Sequence, residues 1–279
     1  MVKVGSHELG GKAPLFFIGG PDVIEGEAHA MRHAKVIAAI CRGIGIPYIF
    51  KSSYDKANRT SLSSFRGVGL KAGLKILAKI RSVVKVPVLT DVHSPGEAKQ
   101  AAKCVDVLQI PAFLSRQTDL LVTAGKTGRA IHIKKGQFLA PWDMKNVIAK
   151  VSSTGNRSIL VAERGTTFGY NTLVVDMRSI PIMQGFGYPV VMDAGHSVQA
   201  PSGAGAVSGG DRSMIPILAR AGVAAGADGV FMEVHETPDH APCDGPNSLK
   251  LADLEDLLFK LVLISLATGR KAPVPAKRR

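Results

Sequence analysis

The sequence predicts a single-domain (β/α)₈ barrel of the TIM type, an α/β fold, and three observations carry that prediction. Eight short apolar runs each end in a charged or hydrogen-bonding cluster: GGPD (19–22), KSSYDKANR (51–59), TDVH (90–93), QIPAF (109–113), KKGQ (134–137), ERG (163–165), DAGHS (193–197) and MEVH (232–235). Helical stretches separate these runs, and strands alternating with helices read as parallel βα units. The length of 279 residues is close to the roughly 250 of one such barrel. Eight units closing on themselves bring all eight endings to one rim, the face where these barrels carry their active sites.

The elements follow in order. Residues 1–13 precede the first core strand, and VKV followed by PLFF predicts a short N-terminal β-hairpin at the barrel bottom. Core strands are expected at 15–19, 46–51, 86–91, 105–111, 130–135, 158–163, 189–194 and 228–234. Gly43, Gly45 and Pro47 stop the first helix and start the next strand, since glycine closes a helix in the left-handed region and proline cannot continue one. In residues 68–85, Leu70, Leu74, Leu77, Ile80 and Val84 form one apolar stripe, while Lys71, Lys75 and Lys79 mark the wet face. Two loops are long, 52–68 and QAPSGAGAVSGGDR (199–212). The second is too rich in Gly and Ser to pack a core, so it is expected to move and to close over the rim. The tail GRKAPVPAKRR (269–279) is expected to be basic, flexible and solvated. No composition shift marks a linker, so residues 1–279 are expected to form one domain.

Composition narrows the function. Hydrophobic content of 46% and mean hydropathy of +0.15 suit a compact α/β protein. No apolar run approaches the ~20 residues needed to span a bilayer, and MVKVGSHELGGK lacks an apolar signal region. The expectation is a soluble, cytoplasmic protein with no membrane partner. Three cysteines without CxxC spacing argue against a disulfide framework or a zinc ribbon; Cys41 and Cys104 are expected as buried thiols. The formal charge of +13 suits nucleic acid or small phosphorylated substrates. No stretch interleaves aromatics with its cations, so nucleic acid is not expected as a partner.

Strand alternation decides which side chains face inward. Ile131 and Ile133 belong against the helices, which turns Lys134, not Lys135, into the barrel. By the same rule Phe231, Glu233 and His235 face inward, as does Arg164, and Asp91 shares a face with His93. Two sets of residues then meet on the rim. The first is cationic: Lys51, Lys56, Arg59, Lys134 and Arg164, with Arg116 nearby. Like charges repel unless anions fill the space between them, so this set calls for a substrate with several negative charges; the bland reading pairs these cations with Asp55, Asp91 or Glu163. The second set is Asp22, His196, Glu233 and Asp244. One imidazole and three carboxylates suit Mn²⁺, Mg²⁺ or Fe²⁺ better than structural zinc; the bland reading makes them caps or catalytic groups without a metal. His29 and His33 lie at i, i+4 with no third ligand and are expected at the surface. Gly67, Gly69 and Gly73 follow no strand, which removes a dinucleotide fingerprint, and Trp142 is expected to pack.

At KSSYDKANRTSLSSFRG (51–67), IPAFLSRQTDLL (110–121), KKGQFLAPWDMKN (134–146), ERGTTFGYN (163–171), HSVQAPSG (196–203), SGG (208–210), FMEVH (231–235) and CDGP (243–246) the chain resembles the 3-deoxy-D-manno-octulosonate 8-phosphate synthases. The related synthases of the seven-carbon shikimate precursor carry Lys-Pro-Arg where this chain has Lys56-Ala57-Asn58-Arg59. The resemblance implies condensation of phosphoenolpyruvate with arabinose 5-phosphate. It implies that Lys51 and Lys56 hold the carboxylate region of phosphoenolpyruvate, and Lys134 with Arg164 its phosphate. Ser53, Asn58, Arg59 and Thr60 are implied for the substrates, with Arg59 and Thr60 reaching a neighbouring subunit's site in a homo-oligomer, usually a tetramer. Asp91, His93, Phe113, Gln137 and Gln199 are implied around the substrates, and Lys51, Lys56, His196 and Asp244 as the catalytic groups. Loss of Lys134 is then expected to impair phosphoenolpyruvate use, and loss of Lys135 to change little. The resemblance departs from its pattern at Asp22, where metal-using members carry Cys and metal-free members Asn, and at Gly195, usually Thr. The cofactor expectation is therefore one divalent metal (Mn, Mg, Fe or similar) or none. The competing readings are a seven-carbon synthase using erythrose 4-phosphate and a non-catalytic anion-binding barrel.

Overall fold

The computed structural model describes residues 1–59, 61–204 and 207–275. Eight parallel strands form its centre: β1 (Phe16–Gly20), β2 (Tyr48–Lys51), β3 (Val88–Asp91), β4 (Val107–Ile110), β5 (Ala130–Lys134), β6 (Ile159–Glu163), β7 (Val190–Asp193) and β8 (Gly229–His235). Neighbours in sequence pair in turn, and β8 pairs with both β7 and β1, which closes the barrel. Each strand lies on the run expected for it, displaced by one or two residues at its ends. The helices are α1 (Glu27–Ile44), α2 (Leu70–Val84), α3 (Pro95–Ala101), α4 (Thr118–Lys126), α5 (Met144–Ser152), α6 (Ser179–Gln184), α7 (Ile215–Ala224) and α8 (Leu254–Ala267).

Local chemistry sets the helix ends. Gly45 stops α1 at φ 84°, with its N–H on the Cys41 carbonyl, a conformation that glycine adopts without steric penalty. Ser94 caps α3 by accepting the Glu97 N–H, and Pro95 occupies the first turn, where a missing N–H is harmless. On α2, Leu74, Leu77, Ile80 and Val84 are buried and Lys71, Lys75 and Lys79 are exposed, as the stripe predicts.

The core has two layers. Alternate strand residues such as Phe17, Phe50, Val88, Ile131 and Val161 pack outward against the helices. The others, among them Ile18, Ile49, Leu89, Val107, Ala162, Val191 and Phe231, fill the barrel. The hairpin pairs Val2–Val4 with His7–Leu9, and Val2, Val4 and Leu9 join the inner cluster. Each such burial stabilises by roughly 1.5–3 kcal/mol, which fixes the plug at the bottom; PLFF itself runs into β1.

Three expectations need correction. The tail is not solvated from its start: Arg270 is buried, its guanidinium on Asp228 Oδ1 at 2.9 Å and on the Gly11 and Gly226 carbonyls. Asp228 is buried at the barrel bottom, and a buried carboxylate needs such a partner. Residues 276–279 lie outside the described residues. The 199–212 segment forms an antiparallel ribbon, Gln199–Ala204 with Val207–Gly210, because a backbone ladder needs no side-chain core; residues 205 and 206 lie outside the described residues. Trp142 is 63% exposed and packs little. Cys41 is buried as expected and Cys104 only half-buried. Among the described residues no helix is long and apolar enough to cross a membrane.

Candidate active site

Two residues beyond the inner core, every strand contributes one position to the next layer of the barrel: Gly20, Lys51, Asp91, Gln109, Lys134, Arg164, Asp193 and Glu233. Six of these eight are charged because the layer is the floor of a cavity rather than core. A Cβ on Gly20 would sit 2.2 Å from the Lys51 carbonyl, so only glycine lets the first two strands approach there. Above this floor lies an open cavity. Twelve expected site residues line it: Lys51, Lys56, Asn58, Arg59, Asp91, Phe113, Lys134, Gln137, Arg164, His196, Gln199 and Asp244.

Both floor lysines, and Lys56 beside them, have carboxylate partners, although not those of the bland reading. Lys51 Nζ donates to Glu233 Oε1 at 2.9 Å and to the Asp22 carbonyl at 3.1 Å. Lys56 Nζ bonds Asp22 Oδ1. Lys134 Nζ donates to Asp193 Oδ2 at 2.6 Å and lies 3.1 Å from the Phe231 ring centroid. Burial lowers the Lys134 ammonium to about 8, against the pull of Asp193. Asp55 pairs with Arg66, Asp91 with His93, and Glu163 with Lys135. Arg164 spends one nitrogen on Gln199 Oε1 at 2.9 Å, while its Nη1 is buried with no partner. A buried, charged donor left unpaired in a cavity is a receptor for an anion.

The carboxylates divide by environment. Burial alone would raise Asp22, but the Lys56 and Lys51 ammoniums hold it well below the usual range. Burial raises Glu233 against Lys51, and burial together with the Asp22 charge raises Asp244. Asp244 sits in the left-handed region at φ 48°, a conformation that Asp tolerates better than most residues. This brings its Oδ2 within 3.8 Å of His196 Nε2. Of the four expected ligands, Asp22, His196 and Glu233 have ligand atoms within 4.8 Å of one another, whereas Asp244 groups with Asp22 and Cys243. Asp22 Oδ2 and Glu233 Oε2 are buried without hydrogen-bond partners. These two free oxygens beside an imidazole fit a hard divalent cation.

Other expectations resolve differently. Ser53 lies behind the floor, donating to Asp91 Oδ1. His93 also stands behind it, bridging Asp91 Oδ2 and Glu97 at 3.1 Å each. Thr60 lies outside the described residues. Arg59 lines its own chain's cavity, with Nη1 donating to Cys243 Sγ. Arg116 is exposed and does not line the cavity. His235 alternates with Glu233 but leaves the barrel at the strand end, where Glu25 Oε1 takes its Nε2 at 2.8 Å.

Lys134 faces the cavity and Lys135 does not, as alternation requires. Yet Lys135 is buried, donating to the Leu139 and Gly165 carbonyls and to Thr166 Oγ1, with Glu163 at 3.5 Å. It ties the loops after β5 and β6 together, so its loss is not expected to be silent. Sequence reasoning missed Asp193 and Gln109, both lining the cavity. Alternation would have found them, since Val191 and Val107 on the same strands point inward.

Comparison with known proteins agrees with this geometry. The DAHP synthetase I family profile matches residues 2–265. A 2-dehydro-3-deoxyphosphooctonate aldolase of Citrifermentans bemidjiense is 59% identical over 263 residues, 94% of this chain and 96% of that protein. The proteins of the same name from Geobacter sp. (strain M21) and Geobacter sulfurreducens are 59% and 56% identical, over 93% and 94% of this chain and 95% and 97% of theirs. A closed barrel with a cation-ringed cavity, matched along nearly its whole length, places the chain in the DAHP synthetase I family, among the 2-dehydro-3-deoxyphosphooctonate aldolases.

Proposed function

We propose that this chain is a transferase that condenses phosphoenolpyruvate with D-arabinose 5-phosphate and water. The products are 3-deoxy-D-manno-octulosonate 8-phosphate and inorganic phosphate. The observation that carries the reading is one cavity in which Lys51, Lys56, Arg59, Lys134 and Arg164 meet, enough positive charge to hold two phosphorylated skeletons that otherwise repel. The names of the relatives support the eight-carbon product over the seven-carbon one.

Lys134 and the open Nη1 of Arg164 receive the phosphate of phosphoenolpyruvate, and Lys51 and Lys56 its carboxylate. Asn58 and Arg59, higher in the cavity, take the pentose phosphate; Asp91, Phe113, Gln137 and Gln199 shape the walls, with Ser53 and His93 setting Asp91. The enol C3 attacks the sugar aldehyde carbon, forming the C–C bond, and the aldehyde oxygen takes a proton. Water adds at C2 and gives up a proton; the C2–O bond to phosphate then breaks as the ketone forms. Asp193 holds His196 Nδ1 at 3.0 Å, which turns Nε2 toward Asp244. Asp244, raised by burial, exchanges protons with His196 on the face where aldehyde and water react. Asp22, His196, Glu233 and Asp244 would hold a divalent ion, which polarises an aldehyde oxygen or a water when bound.

The reading includes a homo-oligomer, a tetramer on the resemblance. Exposed Phe113, Phe138, Phe168 and Tyr170 crowd the loops after β4, β5 and β6, a surface suited to a second copy of the chain. It also includes a cytoplasmic setting, in the synthesis of lipopolysaccharide sugars.

Phosphate release with each aldose phosphate, assayed with Mn²⁺ and after chelation, tests the proposal. Turnover with arabinose 5-phosphate well above that with erythrose 4-phosphate is expected. The reverse order would make it a seven-carbon synthase; no turnover, with salt-sensitive DNA binding, would make it a silent barrel.

A further inference from the structure

Outside the cavity, behind the segments that carry Asp22 and Glu233, three imidazoles and two carboxylates gather. His29 and His33 lie one turn apart on α1, ring centroids 4.2 Å apart, and His235 at the end of β8 is 5.0 Å from His29. Glu25, before α1, and Glu236, after β8, close the group. The i, i+4 pair thus acquires the third ligand that its sequence context lacks, and His33 is fully buried rather than at the surface.

The hydrogen bonding of this group is incomplete in a specific way. Both ring nitrogens of His29 are screened from solvent and have no hydrogen-bond partner, where a buried polar atom is normally satisfied. Its Nε2 faces Glu25 Oε1 at 3.6 Å and Glu236 Oε1 at 3.9 Å. Two ligand atoms each at ~2.1 Å from a tetrahedral ion lie about 3.4 Å apart, so small side-chain shifts suffice. His33 Nδ1 donates to the His29 carbonyl at 3.0 Å, and its Nε2 accepts the Glu236 N–H at 3.2 Å, a bond that an ion on Nε2 would replace. A backbone carbonyl on the far nitrogen is the usual support of a metal-binding imidazole. Burial also lowers His33 to about 4, so it is neutral at ordinary pH. His235 accepts the Thr237 N–H on Nδ1 and therefore donates from Nε2 to Glu25, orienting that carboxylate from behind. Arg32 pairs with Glu236, but both ends are exposed and such a pair contributes little. An ion on Oε1 displaces Arg32 Nη2 from that oxygen and leaves Oε2 to Nε.

We propose that His29, His33 and Glu236, whose ligand atoms lie within 4.8 Å of one another, form a second metal site for a borderline divalent ion such as Zn²⁺, bracing the start of α1 against the end of β8. Imidazole nitrogen with carboxylate oxygen is a donor set that suits such ions. The site is independent of the reaction assigned to the cavity, and its test does not use turnover.

Co²⁺ titration of the metal-stripped protein, followed by visible absorption and equilibrium dialysis, tests it. A His196→Asn background removes the imidazole of the cavity cluster. One Co²⁺ per chain is expected there, with ligand-field bands and no near-ultraviolet thiolate band. Adding His29→Ala or Glu236→Gln, both at partly exposed residues, is expected to weaken that binding about tenfold or more, with circular dichroism unchanged. No Co²⁺ or Zn²⁺ binding in the His196→Asn protein, or binding that neither added substitution alters, overturns the proposal.

Discussion

Asp193 accepts from Lys134 Nζ through Oδ2 at 2.6 Å, while its Oδ1 takes the His196 backbone N–H at 3.0 Å. One fully buried carboxylate therefore holds both the Lys134 ammonium, proposed above to receive phosphate, and the His196 segment. The pair also sets charge: burial opposes ionisation of Asp193, but His196 and Lys134 hold it well below the usual carboxylate range. Asp193→Asn keeps the shape and removes the charge. It is expected to lower kcat/KM for phosphoenolpyruvate on the order of a hundredfold, as loosened positioning does, and to move the alkaline limb of the profile to lower pH.

That limb follows from Lys134. Burial lowers the ammonium to about 8, so free enzyme loses this charge, proposed to receive phosphate, as pH rises through that value. The profile of kcat/KM reports the free enzyme and that of kcat the loaded one. An alkaline limb near 8 is expected in kcat/KM, displaced upward in kcat because bound phosphate stabilises the ammonium. Stopped assays from pH 6 to 10 at low and saturating phosphoenolpyruvate measure both.

Lys135 gives a contrasting expectation. Removing it leaves Glu163, whose Oε2 already lacks a partner, buried without a cation. Breaking one side of a buried pair destabilises by about 3–5 kcal/mol, so Lys135→Met is expected to unfold at markedly lower urea. Lys134→Ala also breaks a buried pair, with Asp193, and is expected to lose phosphoenolpyruvate use in addition to stability. Urea midpoints beside KM values separate the two effects.

At the opposite end of the barrel, Arg270→Ala strands Asp228 in the same way. A loss of about 3 kcal/mol or more in stability is expected, with KM for both substrates unchanged. Truncation after residue 275 is expected to be neutral, since Arg270 is kept.

The fold was legible because parallel strands announce themselves as apolar runs and helices as stripes; Gly45 even marked a helix end. Alternation correctly turned Lys134 and Arg164 inward, and the same rule applied to β4 and β7 would have found Gln109 and Asp193. What the sequence hid was pairing across distance. Nothing local tells that Arg270 will meet Asp228, that Lys135 will be buried against Glu163, or that Glu236 will stand beside His29. His235 escaped alternation because β8 leaves the barrel curvature at its last residue, where Ser248–Lys250 adds a ninth parallel strand. The 199–212 segment misled because a glycine-rich composition predicts no core, yet a ribbon needs only backbone hydrogen bonds.

The central claim is that the cation ring gathers two phosphorylated substrates for addition and elimination at C2 of phosphoenolpyruvate. Phosphoenolpyruvate carrying ¹⁸O in its bridging C–O–P position tests this most directly, with ³¹P NMR reading the released phosphate. The label is expected in inorganic phosphate, released only when arabinose 5-phosphate is present. Label retained in the carbon product, or phosphate released equally without the sugar, would contradict it.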